Sequence, residues 1–448
     1  MYYKTSEIQQ KYKDKLVSAD FAASLIKDGD RISFGMGVGH SKTFDDALAK
    51  RINDLYDIEV ISLLTFMDKP YSVFTASEGK EHVFFMAEHM TAQDRQMRDD
   101  GRCWYMPMQL REAPSYWYID GNQVDYLVIQ VTPMDAHGNF NMGPCVADNF
   151  GIMHNAKHVI VEVNEALPFA FGENSINISE VDYVIEGEAH KPTVLGSKPF
   201  TELDHQIASH VVERMRSNST LQLGIGSLPN CIGALLCDSD MGNFSCHTEM
   251  LADAYLDLFN AGKLTGDKPI YRGKMVYTFA AGREELYDFI DHNQICYAMP
   301  SGFTNDIEVI ASIDNFVSIN GAMGVDLFGQ VNAETIGPKQ FSGTGGQLDF
   351  VQGAYKSNGG QSFICLPSSR TLKDGTRIST ITPLLAPGSI VTTPRTATHF
   401  VVTEYGAVNL KGKSTAQRAE LLISIAHPDF RDDLIKEAEK LGIWRQKR

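Results

Sequence analysis

The chain of 448 residues is longer than the roughly 250–300 residues at which a single hydrophobic core stops growing, so we expect two domains. Hydrophobic residues make up 43% and charged residues 21% of it, a composition typical of a globular protein that buries a full core. The formal charge of −16, without any long run of Lys or Arg, excludes nucleic acid as an expected partner.

The cysteines and the N-terminal segment bear on the compartment. The seven cysteines are scattered, odd in number and without a CxxC pair, which is typical of a reduced, cytoplasmic protein. The N-terminal segment is polar, and no apolar stretch approaches the ~18 residues that span a bilayer. We therefore expect a cytoplasmic protein with no targeting segment and no membrane span.

Short apolar runs alternate with helical patterns along the whole chain. In chain order these runs are DRISFG, DIEVISLLTF, DYLVIQV, KHVIVEVN, TLQLGIG, KMVYTFAAG, QSFICLP and THFVVTEYG. Such alternation predicts βαβ units, and the expected fold class is α/β with two similar, open, mostly parallel domains. The C-terminal run 414–444 has helical spacing interrupted at Pro428, which predicts two packing helices.

A weak internal repeat divides the chain into two halves. Residues 18–51 and 204–239 share one plan: an amphipathic helix, a polar turn, a strand that ends in GxG, and a new helix. The segment 186–204 is rich in Pro, Gly and charge and is the best linker candidate. We predict an N-terminal α/β domain over 1–190 and a C-terminal α/β domain over 191–448.

Two glycine turns, GMGVGH at 35–40 and GIGSLP at 224–229, each end a strand and precede a helix. Free backbone N–H groups and the helix dipole favour an anion at such a position. Neither turn completes GxGxxG with a ribose-binding acid further on, so a dinucleotide fold is disfavoured. From position alone, a tight turn without a ligand and an anion site are equally favoured.

Two further loops could carry chemistry. VTPMDAHGNFNMG at 131–143 follows a strand and holds Asp135, His137 and Gly138, where open α/β sheets place ligands, although an ordinary turn explains these residues equally well. FSGTGGQLDF at 341–350 has three glycines that let the backbone approach a ligand and aim N–H groups at an oxyanion. A flexible loop is the alternative.

GNFSCHTEM at 242–250 places Glu249 between a predicted buried strand and a helical pattern. His247 and Glu249 lack the HExxH spacing and no Cys/His cluster supports them, so we expect no metal. No GxSxG elbow supports a Ser–His–Asp hydrolase. The Glu249 carboxylate either caps or pairs within the fold, or acts as a nucleophile that attacks an activated carbonyl and forms a covalent intermediate.

Five motifs together resemble those of the acetyl-CoA hydrolase/CoA-transferase family. They are GIGSLPN, HTEM, GQVNAE at 329–334, SGTGGQLDF, and IAHPDFRDDL at 425–434. The resemblance runs nearly end to end, and the C-terminal third is most similar to the butyryl-CoA:acetate type, in the branch that also holds 4-hydroxybutyrate CoA-transferases. It implies the NagB/RpiA-like CoA-transferase fold in both domains, with the catalytic glutamate in the second.

The resemblance also implies roles for individual residues. Glu249 matches the family's catalytic glutamate, which becomes a glutamyl-CoA thioester. The residues implied in CoA binding are Gly224, Ile225, Gly226, Ser227, Leu228, Gly324, Gly346 and Gln347. Those implied near the acyl group or the oxyanion are Gln222, Gly345 and Asn320. The implied partners are acyl-CoA and short-chain carboxylates, with coenzyme A as a substrate and no metal, and we expect a homo-oligomer.

The implied reaction is a ping-pong transfer of CoA from butyryl-CoA to acetate. It requires an ionised Glu249 despite partial desolvation, and the exclusion of water. The alternatives are transfer with 4-hydroxybutyrate or another short-chain acid, an acyl-CoA hydrolase on the same scaffold and, least favoured, a non-catalytic acyl-CoA-binding protein.

Three stretches depart from the family pattern. PSGFTND has Gly302 where relatives commonly carry an acid, and Phe244, Ser245 and Cys246 replace an apolar–Gly–apolar lead into HTEM. GMGVGHSKTF is also not typical of the butyryl type. These positions are expected to line the acyl pocket, so they bear on which acid is transferred and leave the core mechanism unchanged.

Overall fold

The computed structural model describes residues 5–196, 199–224 and 226–445. The α-helices are α1 (Thr5–Lys15), α2 (Ala19–Ser24), α3 (Lys42–Ala49), α4 (Ser72–Ala76), α5 (Ala92–Asp100), α6 (Ala113–Tyr116), α7 (Asn149–Met153), α8 (Glu202–Val212), α9 (Ser227–Asp238), α10 (Asp253–Asn260), α11 (Glu284–Ile290), α12 (Ser301–Thr304), α13 (Ile307–Ala311), α14 (Gln347–Lys356), α15 (Thr415–Ser424) and α16 (Pro428–Lys440). None of the helices in these ranges is long and apolar enough to cross a membrane.

The strands are short, and most of them follow the apolar runs of the sequence. They are β1 (Arg31–Met36), β2 (Ile58–Leu63), β3 (Val83–Ala87), β4 (Cys103–Tyr105), β5 (Tyr126–Val131), β6 (Asn139–Asn141), β7 (His158–Val163), β8 (Phe171–Gly172), β9 (Ser175–Asn177), β10 (Tyr183–Glu186), β11 (Thr220–Leu223), β12 (Ser245–Cys246), β13 (Met250–Leu251), β14 (Met275–Tyr277), β15 (Phe279–Ala280), β16 (Cys296–Ala298), β17 (Phe316–Gly321), β18 (Gly324–Asp326), β19 (Val331–Asn332), β20 (Thr335–Ile336), β21 (Lys339–Gln340), β22 (Gln361–Cys365), β23 (Ser369–Thr371), β24 (Arg377–Ser379), β25 (Ile381–Thr382), β26 (Phe400–Thr403) and β27 (Gly406–Asn409).

The first of two compact units comprises Met1–Gly196 and Val276–Thr304. Its main sheet has seven strands in the order β10-β7-β5-β1-β2-β3-β4, and all of the paired strands run parallel. β1 lies between β2 and β5, so the winding of the chain reverses there. In open α/β sheets the crevice beyond the carboxyl ends of the strands at such a reversal is the usual ligand position.

The second unit comprises Ser197–Met275 and Asn305–Arg448. Its main sheet has six strands in the order β12-β11-β17-β22-β26-β27, which are parallel except for the antiparallel pair of β26 and β27. The winding reverses between β11 and β17. The mostly parallel α/β class predicted from the alternating runs is confirmed.

Residues 276–304 belong to the first unit although they follow Glu249 in the chain. The backbone N–H of Val146 donates to the carbonyl of Thr278 at 2.9 Å, and that of Ser301 donates to the carbonyl of Ala147 at 2.9 Å. The predicted division into 1–190 and 191–448 assigns this segment to the C-terminal domain. That division was based on local sequence patterns, which do not reveal hydrogen bonds between residues that are far apart in the chain. The boundary at 190 stays a prediction, and residues 197 and 198 of the predicted linker lie outside the described residues.

The C-terminal run forms the two packing helices that its spacing predicts. Ser414 and Gln417 form a capping box at the start of α15, and α16 begins at Pro428, whose missing N–H is harmless in a first turn. Leu422 and Leu434 from the two helices join one buried cluster with residues of β22 and β26. This packing closes one face of the second sheet.

Candidate active site

Glu249 lies between the short strands β12 and β13, and α10 follows β13. The residues on either side anchor the segment, since Cys246, Met250 and Leu251 are all buried. Glu249 itself remains partly exposed. The apolar neighbours therefore fix the backbone at this position, while the glutamate residue keeps some contact with solvent.

Two donors meet the carboxylate of Glu249. The side-chain Nδ2 of Asn305 donates to Oε2 at 2.8 Å, and the backbone N–H of Gly346 is a second donor. Desolvation raises the pKa of Glu249, while the bonds from Asn305 and Gly346 act in the opposite direction. These are the kinds of donor that an ionised carboxylate needs in a partly desolvated position.

The glycine loop approaches Glu249 so closely that a side chain would not fit. A Cβ at Gly346 would lie 2.2 Å from Oε2 of Glu249 and 2.1 Å from Nδ2 of Asn305. Gly345 has a φ of +52°, in the left-handed region, and a Cβ there would lie 3.5 Å from Oε1. The structure thus brings Glu249, Gly345 and Gly346 together, and their chemical roles stay predictions.

Gln347 begins helix α14 and uses its side-chain amide within the protein. Its Nε2 donates to the carbonyl of Gly321 at 2.9 Å, and its Oε1 accepts from the hydroxyl of Thr393 at 3.1 Å. These bonds tie two loops to the start of α14. They favour a positioning role for this side chain over direct contact with CoA.

Gln222 and Asn320 lie side by side at the reversal between β11 and β17. Oε1 of Gln222 accepts from Ser318 Oγ at 2.8 Å and from Asn320 Nδ2 at 3.2 Å, and Nε2 of Gln222 donates back to Asn320 Oδ1 at 3.3 Å. Gln222 is buried. The predicted acyl-site residues therefore form one amide network, in the position where such sheets bind ligands.

The GIGSL turn follows β11 and leads into helix α9. The backbone N–H of Gly224 donates to the carbonyl of Ile319 at 3.3 Å, so the turn begins beside β17. Gly226 is exposed, has a φ of +124° and caps α9 without a side-chain bond. A residue with a Cβ would be strained there.

The remaining residues predicted to bind CoA are dispersed. Ser227 Oγ donates to Asp204 Oδ1 at 3.2 Å, and Leu228 is partly buried in the same first turn of α9. Gly324 lies in β18, in a small sheet with β19 and β25. Ile225 lies outside the described residues.

The other glycine turn, at 35–40, leads to a helix whose N-terminus is already occupied. Oε1 and Oε2 of Glu162 accept from the backbone N–H groups of Thr43 at 3.0 Å and Phe44 at 2.9 Å, in the first turn of α3. A Cβ at Gly37 would lie 2.6 Å from the sulfur of Cys145. These contacts favour the tight-turn interpretation of this segment over an anion site.

The loop at 131–143 is also held by its own hydrogen bonds. Asp135 Oδ1 accepts from the backbone N–H groups of His137 and Asn139, both at 2.8 Å, as in an ordinary Asx turn. A cavity of about 570 Å³ in the first unit includes Asp135 in its wall but none of the predicted site residues. No group of three potential metal ligands occurs among the described residues.

Asn305 is the site residue that the sequence did not reveal. It is fully buried and follows α12, in the PSGFTND stretch, where Gly302 drew attention as a departure from the family pattern. An asparagine between a short helix and the cap of the next one has the appearance of an ordinary turn residue. Only the position of Glu249 in space distinguishes it.

Two family models cover most of the chain. The acetyl-CoA hydrolase/transferase N-terminal domain matches residues 1–195, and the acetyl-CoA hydrolase/transferase C-terminal domain matches residues 282–438. The stretch 196–281, which holds Glu249 and the glycine turn at 224–229, lies between the two matched ranges.

Similar proteins extend over the whole chain. The probable butyrate:acetyl-CoA coenzyme A-transferase of Syntrophomonas wolfei is 45% identical, over 100% of this chain and 99% of that protein. The butyryl-CoA:acetate CoA-transferase of Anaerostipes caccae is 44% identical, over 98% and 99% respectively. The crystal structure of RipA from Yersinia pestis superposes with a TM-score of 0.87 at 34% identity, covering 97% of this chain and 99% of that one.

Proposed function

Because the chain belongs to the acetyl-CoA hydrolase/transferase family and is an enzyme of the CoA-transferase type, we propose that it moves CoA between short-chain carboxylic acids with Glu249 as the nucleophile. The observation that carries the proposal is the carboxylate of Glu249, held by Asn305 and the N–H of Gly346 at a partly exposed position. The close approach of the glycine loop, which leaves no room for a Cβ at Gly346, supports a carboxylate that is positioned for chemistry.

The first half of the reaction loads CoA onto the enzyme. A carboxylate oxygen of Glu249 attacks the thioester carbonyl, the C–S bond breaks, and a mixed anhydride and CoA thiolate form. The thiolate then attacks the glutamyl carbonyl, and the first carboxylate leaves. The acyl–sulfur bond energy is kept in the resulting glutamyl-CoA thioester.

The second half repeats these steps in reverse with another acid. The incoming carboxylate attacks the glutamyl thioester and expels CoA thiolate, which then attacks the acyl carbonyl of the new anhydride and releases Glu249. Each attack places negative charge on a carbonyl oxygen, and a well-aimed donor is worth about 3–4 kcal/mol to such a transition state. Asn305 Nδ2 and the Gly346 N–H are the donors beside the Glu249 carboxyl group.

Butyrate and acetate are the acids that we propose as substrates. They are the acids in the names of the two relatives of 44% and 45% identity. Acyl-CoA and short-chain carboxylates are therefore the proposed partners, and coenzyme A is a substrate. The homo-oligomer and the cytoplasmic location stay predictions.

The test is a CoA-exchange assay that follows the intermediate. Butyryl-CoA should yield acetyl-CoA only when acetate is present, and borohydride should inactivate enzyme pretreated with butyryl-CoA but spare free enzyme, because only the thioester is reducible. Mass spectrometry should place the modification on Glu249. Thiol release without any acceptor acid would identify a hydrolase instead, and borohydride inactivation of free enzyme would contradict the glutamyl thioester.

A panel of acceptors resolves the identity of the acid. Acetate, propionate, 4-hydroxybutyrate, crotonate and larger acids are each offered with butyryl-CoA, and the acyl-CoA products are read by mass. We expect kcat/KM to be highest for acetate. A preference for 4-hydroxybutyrate would replace acetate as the proposed acceptor acid and would leave the transferase proposal unchanged.

A further inference from the structure

Glu88 and Asp148 are two buried acids of the first unit that the proposed reaction does not use. Glu88 directly follows β3, and Asp148 directly precedes α7. The two residues are 5% and 0% exposed, and their side chains are hydrogen-bonded to each other. An ionised carboxylate can only accept hydrogen bonds, so this bond requires a proton on one of the two carboxyl groups.

The other contacts of the pair indicate that one proton satisfies it. Oδ2 of Asp148 accepts from Nε1 of Trp117 at 2.6 Å. No described N–H or O–H group donates to Oδ1 of Asp148 or to Oε1 of Glu88, although both oxygens are buried. Buried polar atoms without a partner are rare because they cost free energy. A proton shared between the two carboxyl groups supplies the donor that the pair otherwise lacks.

No cation offsets the two acids. Among the residues that the structure describes, no Lys, Arg or His forms an ion pair with Glu88 or Asp148. Burial and then the charge of Asp148 raise the pKa of Glu88 well above its ordinary value of 4.5. His89, the next residue, stays neutral because burial and then Arg95 lower its pKa to about 4. These surroundings favour one proton on the pair at neutral pH.

The turn that ends at Asp148 holds the segment 276–304 near both of its ends. The backbone N–H of Ala147 donates to the carbonyl of Thr278 at 3.3 Å, and that of Ser301 donates to the carbonyl of Ala147 at 2.9 Å. Ala147 has a φ of +44°, a conformation that a residue with a side chain adopts only when its surroundings hold it. The bonds of the adjacent Asp148 side chain are among the contacts that do so.

We propose that Glu88 and Asp148 share one proton at neutral pH, and that this shared proton positions residues 276–304 and, through the chain, Asn305, which directly follows them. Without the proton, two carboxylates would lie side by side in a buried position that holds no cation, and their repulsion would separate them. The turn at Ala147 would then lose one of its supports. Glu88 and Asp148 are thus positioning residues that act through the backbone.

The first test is the pH dependence of unfolding in urea. The unfolded chain releases the proton of Glu88 above pH 4.5, whereas the native state keeps it up to the raised pKa. The contribution to stability is therefore fully present below pH 4.5 and is lost as the pH rises through the raised pKa. Over that range the unfolding equilibrium constant of the wild type should rise by about tenfold more per pH unit than that of Glu88→Gln, whose amide donates to Asp148 without titrating.

A control and a spectroscopic measurement accompany this test. Glu78→Gln removes an exposed carboxyl group of the same unit, and it should keep the pH dependence of the wild type. Infrared spectra at neutral pH should show a protonated carboxyl group in the wild type that is absent from Glu88→Gln. Asp148→Asn should also lack this band, because its amide can donate to an ionised Glu88, and it replaces Glu88→Gln in the comparison if that variant does not fold.

Exchange kinetics test the positioning of residues 276–304, and this part alone rests on the proposed function. The kcat of the wild type should fall at alkaline pH, by up to about 10²-fold, because small displacements of a catalytic group have effects of that size. Glu88→Gln should keep its kcat over the same range, while Glu88→Ala, which leaves Asp148 without this bond, should have a lowered kcat at every pH.

Several results would overturn the proposal. Equal pH dependence of unfolding in the wild type and Glu88→Gln would exclude the shared proton, and so would the absence of a carboxyl band that depends on Glu88. Stabilisation of the wild type but not of Glu88→Gln by potassium chloride, compared with choline chloride, would show a bound cation in place of the proton. Equal pH profiles of kcat in the two proteins would refute the positioning role. A protein with the expected unfolding and infrared results but no exchange would contradict only the proposed function.

Discussion

Each unit holds a glutamate beside the N-terminus of a helix, but the two carboxylates are bound differently. Glu162 in the first unit is fully buried, and both of its oxygens accept backbone N–H groups at the start of α3. Glu249 in the second unit meets the N–H of Gly346 at the start of α14, takes its other bond from the side chain of Asn305, and stays partly exposed.

The difference distinguishes a structural carboxylate from the one that we propose to be reactive. A buried glutamate whose two oxygens both accept hydrogen bonds stabilises the fold, because the backbone N–H groups in the first turn of a helix have no acceptor within the helix. A glutamate that is bound but still open on one side can meet a second molecule. The same helix–anion chemistry therefore completes the start of α3 in the first unit and, in the second unit, holds the carboxylate that we propose as the nucleophile.

Replacing the reactive carboxylate should have the largest effect. We expect Glu249→Gln to reduce CoA exchange by at least about 10⁴-fold, because the amide has no nucleophilic oxygen of comparable strength. Its free energy of unfolding should be equal to or above that of the wild type, since an amide is neutral when desolvated. Exchange kinetics and urea unfolding measure the two, and a Gln variant that retains exchange would refute the nucleophile assignment.

A side chain on the glycine loop should come next. Gly346→Ala places a methyl group within 2.2 Å of both Glu249 Oε2 and Asn305 Nδ2, so the loop must move and the N–H donor moves with it. We expect kcat to fall by about 10²–10³-fold, as when one oxyanion donor is lost. The control is Gly321→Ala, where a Cβ meets nothing within 4 Å. Equal kinetics in the two variants would contradict the close approach of the loop.

Loss of the side-chain donor should have a smaller effect. Asn305→Ala removes the 2.8 Å bond to Glu249 but leaves the Gly346 N–H, so we expect kcat to fall by about 10–10²-fold. The acid limb of the pH–rate profile should also shift to higher pH, because the bond from Asn305 lowers the pKa of Glu249 and its loss raises that pKa. An unchanged limb with lower kcat would indicate that Asn305 acts only through packing.

The structural carboxylate should give the opposite pattern from Glu249. Glu162→Gln retains one acceptor oxygen for two N–H groups, so we expect the free energy of unfolding to fall by about 1–2 kcal/mol. The kcat of the folded variant should match that of the wild type. If exchange were lost without any loss of stability, the distinction between the two glutamates would be wrong.

The smallest expected effect is the pH dependence of activity and of stability that the ionisation of Glu249 produces. Burial raises its pKa above the ordinary value of 4.5, so kcat/KM for acyl-CoA should fall on the acid side at a pH above 4.5. Between 4.5 and the raised pKa the native state holds a proton that the unfolded chain has released. The contribution to stability is therefore greatest below pH 4.5 and is lost as the pH rises through the raised pKa, and urea unfolding should show this loss in the wild type and not in Glu249→Gln.

Much of the fold could be predicted from the sequence, because the strands and helices follow local patterns of apolar residues. The alternating apolar runs marked the strands of both main sheets, and the interruption at Pro428 separated the last two helices. The assignment of residues 276–304 to the first unit could not be predicted, since it depends on backbone hydrogen bonds between residues that are far apart in the chain, such as Val146 and Thr278.

The candidate site could be predicted only in part, because it also depends on contacts between residues that are far apart in the chain. Glu249 and the glycine loop stood out as an acid between apolar neighbours and as a run that only close approach explains. Asn305 did not, because an asparagine in a turn is ordinary until its partner is known. The two glycine turns looked equivalent, and only the position of Glu162 distinguished them.

The sequence by itself determined the α/β class, the glutamate and the glycine loop, because residue type and spacing decide which segments are buried and which can bend. Tertiary structure decided what those residues meet. Whether a carboxylate is a cap or a nucleophile depends on which donors reach it and which side stays open, and these are properties of elements that are distant in the chain and adjacent only in space.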